Sequence, residues 1–458
     1  MKRSDGPWAP YEPTAEDPWD LKKVAHLHRR AAFGATWAEL QRDLKDGPQA
    51  SVERLLKPPQ PTDDEQQVLE SLKQGVLTSN DGERLKAWWL YRLLYDPDPL
   101  REELTLFWHG HFATSNRKVQ SIALMLRQNE TLRKHALGEF TAMLTDIVPD
   151  PAMLIWLDGA GSFKQKPNEN FGREFLELFT VGIGNYSEKD IRQAARAFTG
   201  WTRTTNQFDY RTIPGFRFDE GQFDDGEKTF LGQKGKWKPA DIIRITLEQP
   251  ACATFICRKL YRFLVSEGQE PTDELLAPLA EEFRASKYSV KQVVGTILRS
   301  RHFYGAAAYR QRIKGPVEFS AGLVRSLGVP RKDVRLLALA VACDRQGQEL
   351  FAPPNVKGWD GAKTWLNSTT VLERGNWASN VVWGNPDLGM APYDPAAWAK
   401  EHQQPADKAI EGLTDLVLQG DLGEQARAMI LQAAKDGKPD SLRKALQLTL
   451  HCPEFQLA

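Results

Sequence analysis

Three carboxylates stand close together in the run Pro167-Asn168-Glu169-Asn170-Phe171-Gly172-Arg173-Glu174-Phe175-Leu176-Glu177-Leu178-Phe179. Read as a helix turning ~100° per residue, the run puts Phe171, Phe175, Leu178 and Phe179 on one stripe and Asn170, Arg173, Glu174 and Glu177 on the opposite face. Asn168 is placed to cap its start, and Arg173 is spaced for ion pairs one turn away with both Glu169 and Glu177. Facing a cleft, such carboxyls can act as general acid and general base, or as a metal ligand. Glycosidases use two carboxyls ~5 Å apart for retention or ~6.5 to 9.5 Å apart for inversion, and Glu174 with Glu177 suits the nearer spacing. Turned to water, the same face is simply a solvated surface carrying salt bridges. Glu169, Glu174 and Glu177 are thus candidate catalytic residues, and Asn168, Asn170 and Arg173 candidate binding residues.

A second run, Leu104 to Ser115, ends a predicted helix with His109 and His111 on either side of Gly110. On a helix these imidazoles diverge by ~200°, whereas an extended backbone lets both reach one ion. A break at Gly110 would allow the second arrangement, with Glu174, Asp158 or His135 completing a divalent metal site that activates water. In the plainer arrangement one histidine caps the helix C-terminus and the other packs beside Phe112. A third run, Pro353-Pro354-Asn355-Val356-Lys357-Gly358-Trp359-Asp360-Gly361, reads as an irregular loop that holds polar groups out, with Asn355, Lys357 and Trp359 as candidate ligand contacts. Its alternative is a rigid cover over the core. The chain has 14 tryptophans, enough to supply stacking faces for sugar rings, and Trp108 and Trp201 lie in or near the polar runs. Indoles also fill cores.

Helices must carry these groups. Apolar residues recur at helical spacing over 20–33, 36–47, 63–74, 82–95, 98–108, 116–147, 150–158, 169–181, 188–199, 239–264, 271–302, 315–345 and 405–450. Thr36 with Glu39, and Ser187 with Asp190, form capping boxes. Gly182 and Gly184 follow no strand, so they read as a helix stop rather than a dinucleotide fingerprint. Residues 201–237 are poor for helix and rich in Gly and Asp-Gly turns, which predicts an irregular or β-hairpin insertion. Residues 385–405 read as a Pro-rich linker and Pro58–Pro61 as a stiff spacer. The fold class is mainly α, a multi-helix bundle. Its expected divisions are an N-terminal helical segment, 1–57, a main domain with the motifs, 62–380, and a C-terminal helical segment, 381–458.

Composition excludes several functions. With 41% hydrophobic and 26% charged residues among 458, the chain can build ordinary globular cores and is not disordered. Lys plus Arg and Asp plus Glu both number 60, so no net field attracts nucleic acid. Cys252, Cys257, Cys343 and Cys452 lack metal or redox spacing and read as buried thiols. Met1 to Pro13 has no apolar run for a secretory leader, so no signal peptide is visible. Nowhere do ~18 apolar residues run together, so no membrane span is expected.

The runs just described, together with His26-Leu27-His28-Arg29-Arg30-Ala31-Ala32-Phe33-Gly34-Ala35-Thr36, Asp150–Asp158, Gly182–Trp201 and Pro353–Trp365, resemble a bacterial family catalogued as domain of unknown function 1800. The resemblance reaches from about residue 20 to the end. It implies export, because members are often predicted to be exported. It also implies company with the family numbered 1501, which looks like alkaline phosphatases and sulfatases. Such company suggests work on sulfated or phosphorylated polymers, glycans above all. Two expectations follow. One is a hydrolase acting on a polysaccharide or related polymer through carboxylate acid/base residues, assisted or not by a divalent metal. The other is a non-catalytic binding or assembly protein whose partner is a phosphatase/sulfatase-like protein.

Overall fold

In the computed structural model, which describes residues 6–204, 215–405 and 408–458, local signals decide where helices start and stop. Both boxes form: Thr36 opens Trp37–Asp46 and Ser187 opens Glu188–Ala197. Several long predicted helices are divided at backbone breaks. The stretch 239–264 splits into Pro239–Leu247 and Pro250–Leu264, since Pro250 holds Gln249 extended and starts a new helix. The stretch 271–302 splits into Asp273–Ala285 and Val290–Arg299, with Lys287 and Tyr288 left-handed between them. In 405–450, left-handed turns at Gln419-Gly420 and at Gly437 leave Ala409–Leu418, Glu424–Ala433 and Pro439–His451. The expected linker holds a short helix of its own, Pro395–Glu401, capped by Asp394.

The fold is mainly α with a small β insertion. Trp201–Thr204 pairs antiparallel with Gly215–Phe218, and Lys228–Phe230 with Gln233–Gly235. The part of the insertion between the first two strands, 205–214, lies outside the described residues. Among the described residues no helix is long and apolar enough to cross a membrane.

Two apolar clusters form the core. One gathers Trp108, Phe112, Phe140, Phe175 and Leu260. The other gathers Trp88, Trp89, Phe319, Trp377 and Leu446. Helix Leu21–Ala31 gives Leu27 to the first and Val24 to the second, and helix Pro99–His111 gives Leu104 to the first and Leu106 to the second. These two helices are therefore the seam between the cores. Each core also draws across an expected division: Leu56 packs in the same cluster as Leu100, and Val382 in the same cluster as Phe319.

Gly172 explains one glycine of the carboxylate run. Helix Glu169–Glu174 lies so close to Glu188–Ala197 that a Cβ on Gly172 would sit 2.8 Å from the Ile191 carbonyl oxygen and 3.0 Å from the Ala195 nitrogen. Alanine gains ~1 kcal/mol over glycine in a helix interior, but overpacking against backbone costs ~1–3 kcal/mol. Backbone cannot swing aside as a side chain can. Gly172→Ala is therefore expected to lower stability in urea denaturation, and a variant as stable as wild type would show that the two helices part easily.

Candidate functional site

Asn168 caps its helix as expected: its side-chain oxygen accepts from the Asn170 N–H at 3.0 Å, while its amide donates to the Leu157 carbonyl at 2.6 Å. Regular helix ends at Glu174, and Phe175–Thr180 continues as a wider π-turn. That wider turn shifts the apolar stripe. Leu176 joins Phe171, Phe175 and Phe179 in the core, while Leu178, expected there, is only half-buried.

The polar face is also rearranged. Glu169 and Asn170 are exposed. Arg173 makes its bonds not within its own helix but to Glu188, at 2.9 and 2.8 Å, a bidentate match no residue one turn away offers. Glu177 accepts from the Tyr186 hydroxyl at 3.0 Å. Glu174 is half-buried, and burial followed by the charge of Glu177 pushes its carboxyl up, against the pull of Arg173 and Lys357. Lys357, on the Pro353–Gly361 loop, is thus close enough for its charge to be felt by the carboxylate run.

The histidines do not form a metal pair. The helix Pro99–His111 runs on through Gly110, so the two rings leave it on different sides. His109 packs against Trp89, Phe351 and Trp359, with ring centres 5.1, 5.4 and 5.6 Å away. Its Nε2 accepts from the Phe351 N–H at 3.1 Å, and burial holds its pKa down to about 3, so it is neutral. His111 donates from Nε2 to the Phe179 carbonyl at 3.1 Å, which leaves Nδ1 to accept from the Lys259 amine at 3.1 Å. Lys259 also donates to the Leu178 carbonyl at 3.1 Å. Two carbonyls at the end of the π-turn, which have no partner within their own helix, thus hold both groups. Among the described residues no three or more His, Cys, Asp or Glu side chains are grouped to hold a metal ion.

The glycine that the contact between loop and helix requires is Gly358, since a Cβ on Gly110 would meet nothing within 4 Å. A Cβ on Gly358 would lie 2.4 Å from the Gly110 carbonyl oxygen, so the loop backbone rests directly on the helix backbone. With His109 bonded to Phe351, this contact fixes the loop across the helix. The loop in turn makes one wall of a cleft of about 340 Å³. Lys357, Trp359 and Asp360 line it from the loop, Trp365 from the short helix Ala362–Trp365 that follows, and Phe107 and His111 from the Pro99–His111 helix. Lys259, Arg262 and Phe263 line it from Pro250–Leu264, with Glu267 from the turn after that helix and Arg312 and Glu318 below.

The charges of this cleft are unequal in freedom. Arg312 is bonded to Glu318 and to the Phe263 carbonyl, and Glu318 also accepts from the Gly315 N–H at 2.6 Å. The two charges of that pair offset each other, although the buried Arg312 Nε has no hydrogen-bond partner among the described residues. Behind it Glu103, fully buried, is pushed well up by burial and by Glu318, and accepts from the Phe33 N–H at 3.0 Å. Glu267 is different. Burial pushes its carboxyl up, and its Oε2 has no hydrogen-bond partner among the described residues. Lys259 is lowered to about 8 by burial and then by Arg262, and two of its three amine protons are committed, to His111 and Leu178.

Of the candidates read from sequence, His111, Lys357 and Trp359 meet in the cleft, and Glu174 stands near Lys357. Trp108 is no ligand platform: it is fully buried and donates from its ring nitrogen to the Ala136 carbonyl at 3.0 Å. Trp201 is half-buried beside Phe218, and Asn355 is exposed, its side chain accepting from the Lys357 N–H at 2.8 Å to shape the loop. Lys259, Glu267 and Arg312 were missed because they lie outside the polar runs. The available signal at Lys259 is one cation set a turn from Phe255 and from Phe263 on an apolar helix.

A family model described as "Protein of unknown function (DUF1800)" matches residues 26–457. No curated protein and no solved structure matches the chain.

Proposed function

On the premise that this chain belongs to the DUF1800 family, we propose that it is a hydrolase of an acidic glycan, working in the cleft between the Pro99–His111 helix, the Pro250–Leu264 helix and the Pro353–Gly361 loop. The observation that carries this reading is Glu267, a carboxyl on the cleft that burial pushes up and that lacks a partner for one oxygen. A carboxyl that holds its proton to higher pH than an ordinary one is better placed to give it to a leaving glycosidic oxygen. Asp360, exposed on the facing loop, is the second carboxyl, which activates water or attacks directly. Trp359 and Trp365 offer indole surface to sugar rings. The acid role thereby moves from Glu169, Glu174 and Glu177 to Glu267, with Glu174 a neighbour of the cleft through Lys357.

Acidity of the substrate is inferred from the free cations. Among the described residues Lys259 has no carboxylate partner, and its third amine proton is available to a bound anion. Its lowered value of about 8 means that the charge is present at pH 7 and is lost as pH rises past 8. Affinity for a sulfated or uronic oligosaccharide is therefore expected to fall between pH 7 and pH 9, and Lys259→Met to weaken binding and remove that step. Titration calorimetry across this range decides it: a flat affinity in the wild type removes Lys259 from the binding site.

The reaction itself is tested by incubating the protein with sulfated, uronic and neutral polysaccharides and measuring new reducing ends. Cleavage confined to the acidic polymers is the expected result. If none is cleaved and none binds, the proposal fails.

A second reading, a non-catalytic assembly protein partnering a phosphatase/sulfatase-like protein, is favoured by His109 and Gly358. Both lock the loop to the helix without touching a reacting group. Under that reading, removing the Glu267 carboxyl leaves partner binding intact and no hydrolysis is ever seen.

A further inference from the structure

We infer that a halide ion, chloride under ordinary conditions, binds in a second cavity between Arg29 and Lys314, on the far side of Glu318 from the cleft. This cavity measures about 30 Å³ and is lined by Arg29, Phe33, Lys314, Glu318, Gln419 and Phe455, among others. One water needs ~10–15 Å³ of such space, so the room suits one or two small occupants and not a phosphate or a carboxylic acid.

Apart from Glu318, whose carboxylate is held by Arg312 and the Gly315 N–H, the charged side chains of the lining are cationic. Arg29 is buried and donates to the Gln419 side-chain oxygen, while its Nε and Nη2 have no partner among the described residues. Lys314, also buried, donates to the Phe455 carbonyl at 2.8 Å. Arg374 stands behind it and donates to the Lys314 carbonyl at 2.7 Å and to the Gln456 side chain at 3.1 Å. Among the described residues all three cations therefore donate only to neutral acceptors. The nearby carboxylates are committed elsewhere: Glu318 to Arg312 and the Gly315 N–H, and Asp421 to Arg310 and Lys22.

Buried charge without a counter-charge is costly, and two donors of one guanidinium left unsatisfied add to that cost. Burial and then the charge of Arg310 push Arg29 down to about 10, and burial and then the charges of Arg29, Arg310 and Arg374 push Lys314 well down. A water can accept from Arg29 but leaves the charge in place. A halide satisfies the donors and supplies the charge in the same volume.

The test is thermal unfolding of the full chain at fixed ionic strength, with sodium chloride or bromide exchanged for sodium gluconate, whose anion is too large for the cavity. Tm is expected to rise saturably by a few degrees with either halide. Gln419→Glu places a carboxylate on the cavity wall beside Arg29, so this variant should be stabilised in gluconate and lose the halide dependence. Bromide-grown crystals should show an anomalous peak between Arg29 and Lys314. Equal Tm in chloride and gluconate for the wild type, or an undiminished halide response in Gln419→Glu, overturns the inference and leaves the cavity to water. Neither result bears on hydrolysis in the cleft.

Discussion

Replacing Glu267 by Gln is expected to lower hydrolysis of an acidic polysaccharide by roughly 10²- to 10⁴-fold, the range supplied by a positioned proton donor. The amide keeps the size of the carboxyl and loses only its transferable proton. Binding, which in the proposed function rests on Lys259, Lys357 and the two indoles of the cleft, should change little, so the loss falls on kcat rather than KM. The pH profile gives an independent check. Because burial raises the Glu267 pKa, the acid form persists above the ordinary carboxyl range, and activity should fall on the alkaline side as pH passes the raised value. Stability runs the same way. Relative to an unfolded carboxyl, the folded group contributes fully below the ordinary pKa and loses that contribution as pH rises through the folded one. Gln cannot ionise and should therefore be no less stable than wild type at neutral pH. Wild-type kcat in this variant, with loss in Glu174→Gln instead, would move the proton donor to the carboxylate run.

How far these residues could be read in advance depends on how local their determinants are. The boxes at Thr36 and Ser187 are legible because cap and partner lie within one turn. The mainly helical class and the β insertion after Trp201 are legible for the same reason: periodicity and turn composition act over a few residues. Gly110 is the opposite case. Whether it breaks the helix cannot be told from its neighbours, because glycine is tolerated both inside a helix and at its end, and what meets the Gly110 carbonyl, the Gly358 backbone, arrives from far along the chain. The two histidines follow from that: a continuous helix sends His109 into an aromatic box and His111 to the cleft. The π-turn after Glu174 likewise leaves no mark in the spacing of apolar residues, and it changes which side chain of Leu176 and Leu178 is buried. Glu267 and Lys259 are ordinary residue types in ordinary positions. Burial alters their proton affinities, and burial is a property of the packed chain.

Gly358→Ala should be the most damaging single-methyl change in the cleft wall. Gly358 has φ +86°, a conformation that costs an L side chain ~1–3 kcal/mol. Its added Cβ would stand 2.4 Å from the Gly110 oxygen and 3.2 Å from the Gly110 carbonyl carbon, where both walls are backbone. Overpacking of that kind costs a further ~1–3 kcal/mol. Together these approach a large part of the ~5–15 kcal/mol that holds a domain folded. The cheapest relief is for the loop to lift off the helix, which carries Lys357, Trp359 and Asp360 away from His111, Lys259 and Glu267. Loss of ligand affinity should then exceed what the fall in Tm accounts for, and the His109 to Phe351 bond should open with it. Histidine NMR reports that bond directly, since His109 freed to water regains a pKa far above about 3. A variant with wild-type Tm, affinity and His109 titration would mean that the loop is not seated on Gly110, and the cleft would then have no fixed wall on which to hold a substrate.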